Sequence, residues 1–197
     1  MQQSDIQGKP LFYYPFSLQG EIALAEEESR HCVLSLRFKE GQEMYLTDGK
    51  GTLAKAKLVK ANPKSANLNV LENEIFPPAR VFRRLVVSPP KTGERLDWLV
   101  EKAVEIGVDE IVCIETRRAE RDKINLERLE KIAISAMKQS KQVYLPTIRG
   151  MVKWKQFLTE TYEGAKYIAA VQTDVNRRQL SVISCQSYVV SPPSSFT

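Results

Sequence analysis

The 197-residue sequence holds three cysteines, Cys32, Cys113 and Cys185, and one histidine, His31. Cysteines this few and this far apart make neither a disulfide framework nor a zinc cluster, and a lone histidine cannot supply a multi-histidine metal site. No metal site is expected. Uninterrupted apolar runs stop at four or five residues, far short of the roughly 20 that span a bilayer. The first residues, MQQSDIQGKP, lack a basic stretch followed by an apolar one, so no secretory leader is expected and the chain reads as cytoplasmic. Glycine is also scarce, at nine residues, and none follows Gly164. The only G-x-G, Gly49-Lys50-Gly51, lies between strand-like segments, so neither a dinucleotide fingerprint nor a P-loop is present.

What is present is a core-forming composition, 43% hydrophobic and 27% charged, with a net charge of +5. The charge is not spread evenly. Residues 1–78 carry 9 Lys/Arg against 10 Asp/Glu, residues 79–155 carry 17 against 11, and the remainder carries 3 against 3. The middle of the chain therefore holds the whole excess, which favours phosphate-rich partners because each neutralised phosphate releases counterions. A solvated basic face that only aids solubility is the competing reading.

The segment from residue 10 to 78 predicts short strands, with one brief helix where the acidic 26–28 run is followed by Ser29 to Leu36. Asp48-Gly49-Lys50-Gly51 is a hairpin turn signal, and Leu53 to Val59 alternates apolar and basic residues as a half-buried strand does. Many short strands predict a small β-barrel. Pro77-Pro78 then marks the boundary to a different rhythm. A β-branched strand at Arg83 to Val87 precedes an amphipathic helix over Glu94 to Ile106, closed by Gly107 at the C′ position. A strand at Val108 to Ile114 follows, then a helix capped by Asn125, a short extended piece at Pro146 to Ile148, a helix over Trp154 to Tyr162 and a strand at Tyr167 to Val171. This alternation predicts a parallel, helix-covered sheet. The reading is thus a two-domain α+β, α/β chain: a barrel over 1–78, an α/β domain over 79–171, and an irregular tail over 172–197.

Several residues stand out as nucleic-acid contacts. Arg117, Arg118 and Arg121 follow a strand whose carboxyl end is where α/β sheets place ligands, and guanidinium groups grip phosphate bidentately. An ion-pair-rich loop is the alternative, since Glu115, Glu120 and Asp122 are interleaved. Lys138-Gln139-Ser140-Lys141 closes the second helix, where amide and hydroxyl groups suit base edges and the lysines suit the helix dipole as well as RNA. Gln139 and Ser140 are expected to stand behind the arginine cluster. Lys91 and Arg95 flank the start of the first helix, and Arg37, Lys55 and Lys57 are the corresponding cations on the barrel. His31 reads as a packing or capping residue and the cysteines as core.

Taken in order, Arg30-His31-Cys-Val-Leu-Ser-Leu-Arg37 with Asp48-Gly49, then Glu94-Arg-Leu-Asp-Trp-Leu-Val-Glu-Lys102-Ala-Val-Glu105-Ile-Gly107-Val, Thr116-Arg-Arg-Ala-Glu-Arg121, Ala136-Met-Lys-Gln139-Ser140 and Leu145-Pro-Thr-Ile148 resemble the ribosomal RNA small subunit methyltransferase E family. That resemblance implies a PUA-like β-barrel ahead of a SPOUT-type, trefoil-knotted domain that methylates N3 of a uridine in small-subunit ribosomal RNA. S-adenosylmethionine is the implied donor, Arg117, Arg118 and Arg121 are candidate catalytic residues through charge stabilisation, and a homodimer forms through the knot. The family's Gly-Pro-Glu-Gly-Gly loop and Leu-Arg…Glu-Thr-Ala segment have no counterpart in this sequence. The likeness is expected to end near Val171 with the knot truncated, by a frameshift or as a natural remnant that only binds RNA.

Overall fold

The computed structural model describes residue 6 and residues 8–117, 123–161, 164–174 and 177–185. Five short strands build the first sheet: β1 (Leu11–Tyr13), β2 (Glu21–Ala23), β3 (Glu43–Thr47), β4 (Thr52–Lys60) and β5 (Asn67–Ile75). Their order is β1-β3-β4-β5-β2, antiparallel throughout except that β1 runs parallel to β3. The sheet is a half-barrel: β1 and β2 remain as separate edges. Its concave side is filled by Phe12, Leu18, Ile22, Met44, Leu46, Ala54, Ala56, Leu58 and Leu68. Cys32 joins that core from above, because α1 (Glu26–Arg30) runs on without a break into a π-helical turn, His31–Ser35. The helix expected from the acidic 26–28 run and Ser29 to Leu36 is formed as α1 and the π-helical turn, with the acidic run at the positive end of the helix dipole. Ser29 fixes the entry, donating to the Leu24 carbonyl at 3.1 Å and accepting from the Ala66 amide at 2.9 Å.

The second sheet is parallel and ordered as in the chain: β6 (Arg84–Val87), β7 (Glu110–Glu115) and β8 (Thr147–Lys153). Its crossovers are α2 (Gly93–Glu105) and α3 (Leu126–Ser140). Leu96, Val100, Ala103 and Val104 of α2 meet Leu129, Ala133, Ala136 and Met137 of α3 over Ile111 and Cys113 of β7. The 3.6-residue spacing of these positions is what makes both segments helical. Asn125 caps α3 as expected, its side chain accepting from the Arg128 amide at 3.0 Å. Within β6, β7 and β8, Glu110 pairs with Arg84 and, at 3.8 Å, with Arg149, tying the three strands together at one end.

The turn at 48–51 does more than reverse the chain between β3 and β4. The Gly51 amide donates to the Val143 carbonyl at 2.9 Å, and the Leu145 amide donates to the Gly49 carbonyl at 2.8 Å. Thr47 Oγ1 donates to Val143 O at 3.3 Å, and the Tyr144 hydroxyl donates to the Phe76 carbonyl at 2.7 Å. Leu11, Tyr45, Leu53 and Val143 close a small core over this junction. The half-barrel and the parallel sheet therefore belong to one compact unit, Met1–Phe157. Pro77-Pro78 lies in the connection between β5 and β6, without separating them into independent bodies.

The second unit, Leu158–Thr197, holds β9 (Lys166–Asp174) and β10 (Arg177–Cys185), an antiparallel pair with Asp174 opposite Arg177. Three sequence expectations change here. The strand foreseen at Tyr167 to Val171 pairs with β10 and not with the parallel sheet. Residues 177–185, read as part of an irregular tail, form a strand, which the polar-apolar alternation of Gln179-Leu-Ser-Val supports. The helix foreseen over Trp154 to Tyr162 is shorter, α4 (Trp154–Thr159).

A methyl group at Gly51 would lie 2.3 Å from the Tyr144 hydroxyl and 3.0 Å from the Phe76 carbonyl, at a φ of +103°. Gly51→Ala is therefore expected to destabilise the unit by roughly 2–3 kcal/mol. Gly20→Ala, at φ +61° with nothing within 4 Å, should cost only about 1 kcal/mol. Thermal or urea unfolding of the two variants checks the difference.

Candidate nucleic-acid interface

A cleft of about 890 Å³ opens between the half-barrel and α3. Glu26, Glu27, Glu28, Arg30 and His31 line it from α1 and the π-helical turn, with Leu11 and Leu36 beside them. Ser135, Lys138, Gln139 and Lys141 face them from α3 and its cap. A smaller depression of about 440 Å³ continues along α3 past Ser135 to Lys131, Arg128 and Asn125. One helix face thus presents Arg128, Lys131, Ser135, Lys138 and Gln139 in i, i+3 and i+4 steps.

The two walls are joined by charge. Glu28 Oε1 accepts from Lys138 Nζ across 110 positions of sequence, and both side chains are largely buried. Glu28 Oε2 has no hydrogen-bond partner. Lys141 closes α3 in a left-handed conformation, φ 59°, and burial pushes its ammonium group below the ordinary lysine range. Arg37, also left-handed at φ 56°, follows the π-helical turn. Burial, with Glu28 adding to it for Cys32, pushes the Cys32 and Cys113 thiols up to about 11, so neither is a thiolate nucleophile at neutral pH.

The residues singled out from sequence fall into three places. Lys138, Gln139 and Lys141 stand together in the cleft. Ser140 does not join them; its hydroxyl donates to the Ala136 carbonyl of its own helix at 2.7 Å. Lys91, Arg95 and Arg117 are exposed beyond the carboxyl ends of β6 and β7, where the Ser88 and Thr116 hydroxyls lie 3.2 Å apart. Arg118 and Arg121 lie outside the described residues. Gln139 does not stand behind Arg117: α3 spans 15 residues, about 22 Å, and carries Gln139 to its far end. On the half-barrel, Arg37 and Lys57 are exposed, while Lys55 is engaged by Glu43 at 2.8 Å. Sequence reasoning missed Glu28 and Ser135 and took His31 for a packing or capping residue. The partner of Glu28 comes from another sheet, so no local pattern announces it. Among the described residues no helix is long and apolar enough to cross a membrane.

A half-barrel bearing cations and a parallel α/β layer, joined over a polar cleft, is the architecture of an RNA-modifying protein. A model of the RNA methyltransferase PUA domain matches residues 24–71, and a model of the RNA methyltransferase domain matches residues 79–190. The chain belongs to this RNA methyltransferase family, and its likeness runs past Val171, where the sequence alone placed its end. The ribosomal RNA small subunit methyltransferase E of Mycobacterium bovis is 26% identical over 159 residues, covering 77% of this chain and 60% of that protein. The Bacillus subtilis protein of that name is 24% identical, covering 83% and 66%. Among solved structures, a probable rRNA-methyltransferase from Porphyromonas gingivalis is 40% identical with a TM-score of 0.73, covering 78% of this chain and 64% of that one. The small subunit methyltransferase E of Neisseria gonorrhoeae, bound to S-adenosyl methionine, is 26% identical with a TM-score of 0.69, covering 78% and 66%. The chain spans about three-fifths of the length of the first of these relatives.

Removing Lys138 leaves Glu28 buried with both oxygens unpaired. Lys138→Met is expected to cost about 3 kcal/mol, and adding Glu28→Gln to it should recover much of the loss. Urea unfolding of both variants measures this; equal stability of Lys138→Met and wild type would contradict the pairing.

Proposed function

We propose that this protein acts on small-subunit ribosomal RNA, as a methyltransferase that takes its methyl group from S-adenosylmethionine and places it on N3 of a uracil. The observation that carries the reading is the succession of a PUA-type half-barrel and a methyltransferase-type parallel sheet in one chain, matched in that order by both family models. The related structure from Neisseria gonorrhoeae supports the choice of cofactor. Ribosomal RNA as the substrate implies a cytoplasmic site of action, and homodimerisation belongs to the same reading.

The chain's own part in this is to hold RNA. Arg128, in the first turn of α3 and paired with Asp97 of α2, gathers with the exposed Lys91, Arg95 and Arg117 at one end of the helical layer, and Lys131 lies further along α3. Arg37 and Lys57 extend this set onto the half-barrel, which fits residues 1–78 as the RNA-binding part. A single strand laid along α3 would neutralise its phosphates on these groups, while the hydroxyls and amides between them meet its bases. S-adenosylmethionine supplies the electrophilic methyl group in such a reaction. Among the described residues no glycine-rich turn leads from a strand of the parallel sheet into a helix. Arg117, with Arg118 and Arg121, remains the group we assign to stabilising the uracil anion.

A second reading is a non-catalytic RNA-binding protein of the same ancestry. Calorimetric titration with S-adenosylmethionine separates the two. Saturable binding, with labelled methyl transfer to small-subunit ribosomal RNA, is expected for the enzyme; no binding leaves the RNA-binding reading. Under both, Arg117→Ala weakens RNA binding at low salt by about 1 kcal/mol, measured by fluorescence anisotropy, and reduces its salt dependence. Unchanged affinity removes Arg117 from the interface.

A further inference from the structure

The core side of α2 is Leu96, Val100, Ala103 and Val104. At about 3.6 residues per turn Trp98 falls on the opposite side of the helix, and it is 62% exposed. Among the described residues its indole N–H has no hydrogen-bond partner and its ring no aromatic or cationic one. The second tryptophan of the chain, Trp154, is by contrast stacked on Phe157, with centroids 5.9 Å apart at 19°. An indole carries a large, flat apolar surface, so one held in solvent on an otherwise charged helix face is a candidate contact.

Its surroundings decide what it can touch. Arg95 lies three positions ahead of Trp98 on α2, and Lys91 stands just before the helix; both are exposed. Asp97, the preceding residue, holds the exposed Arg128 from the first turn of α3. Arg117 leaves β7 at the same end of the helical layer. Lys91, Arg95 and Arg117 have no acidic partner among the described residues. The carboxylates of this helix face are mostly engaged within it, since Lys102 holds Glu101 at 2.9 Å and Glu105 at 2.8 Å. Glu94 remains, in the first turn, where it meets the positive end of the helix dipole. A flat ring set among four cations is complementary to single-stranded nucleic acid, which brings a phosphate and a flat base at every step. A protein partner would instead have to cover the same cations with carboxylates of its own.

We propose that Trp98 is a stacking platform for one unpaired base of the RNA, beside the cations that hold the flanking phosphates. Stacking uses the π-face that every base has, so the platform positions the strand without selecting its sequence. The proposal rests on the RNA-binding reading above and adds to it a contact that charge alone does not supply.

The test uses the full chain and labelled pentauridylate at low ionic strength. Trp98→Ala is expected to weaken binding about tenfold by anisotropy and to leave the slope of affinity against salt unchanged, because stacking releases no counterions. Arg95→Ala, in contrast, should make that slope shallower. Trp98→Phe should keep most of the affinity. In Trp154→Phe the only tryptophan left is Trp98, and the RNA should quench its fluorescence. The exposed position lets both Trp98 variants fold, which urea unfolding checks. Equal affinity of wild type and Trp98→Ala, with no quenching, overturns the platform and leaves RNA binding standing. A smaller sedimentation coefficient for Trp98→Ala at unchanged RNA affinity also overturns it, and assigns the indole to a contact between two copies of the chain. Failure of the wild-type chain to bind the RNA overturns the RNA-binding reading itself.

Discussion

The turn at residues 48–51, laid against Val143 to Leu145, is the contact on which the rest of the larger unit depends. Gly51 approaches Tyr144 closely enough to exclude any side chain, and its amide donates to the Val143 carbonyl. That one junction sets the half-barrel beside the end of α3. Once the two are set, Glu28 and Lys138 are brought into contact and the cleft between α1 and α3 has a defined width. The ion pair is a consequence of the docking and a reinforcement of it, since neither partner could be left alone in that position without cost.

Much of this architecture was legible in the chain. The i, i+3, i+4 stripes of Leu96-Val100-Val104 and Leu129-Ala133-Met137 mark α2 and α3, and Asn125 marks where α3 begins. The alternation in Leu53 to Val59 marks β4. Other features depend on distant partners and carry no local signal. The hairpin glycines look like ordinary turn residues, although the space at Gly51 is taken by a tyrosine more than 90 residues away. Residues 177–185 look unstructured when read for helices and glycines, because a strand supported by one neighbour needs only weak alternation.

The candidate site divides in the same way. A basic middle of the chain pointed to nucleic acid, and Lys138, Gln139 and Lys141 do stand in the cleft. The expectation that Gln139 backs Arg117 failed because sequence proximity says nothing about which end of a 15-residue helix a residue occupies. Ser140 failed for a local reason, since a serine at a helix end readily returns its hydroxyl to the carbonyl four residues back. The acidic α1 segment was legible as the start of a helix, but not as one wall of the cleft, because a run of glutamates on its own reads as solvated surface. Only its placement opposite Lys138 gives it meaning.

Charge and shape then assign different tasks to different parts. The cations along α3 and beyond β6 and β7 suit the phosphate backbone, and the left-handed Lys141 lines the cleft at the end of α3. The account's central claim is that RNA lies in the cleft and touches the half-barrel and α3 at once. Amide hydrogen exchange, with and without a single-stranded fragment of small-subunit ribosomal RNA, tests it most directly. Slowed exchange in residues 26–36 and 135–141 together is the predicted result. Protection confined to one of these segments, or lying only on β4, would contradict it.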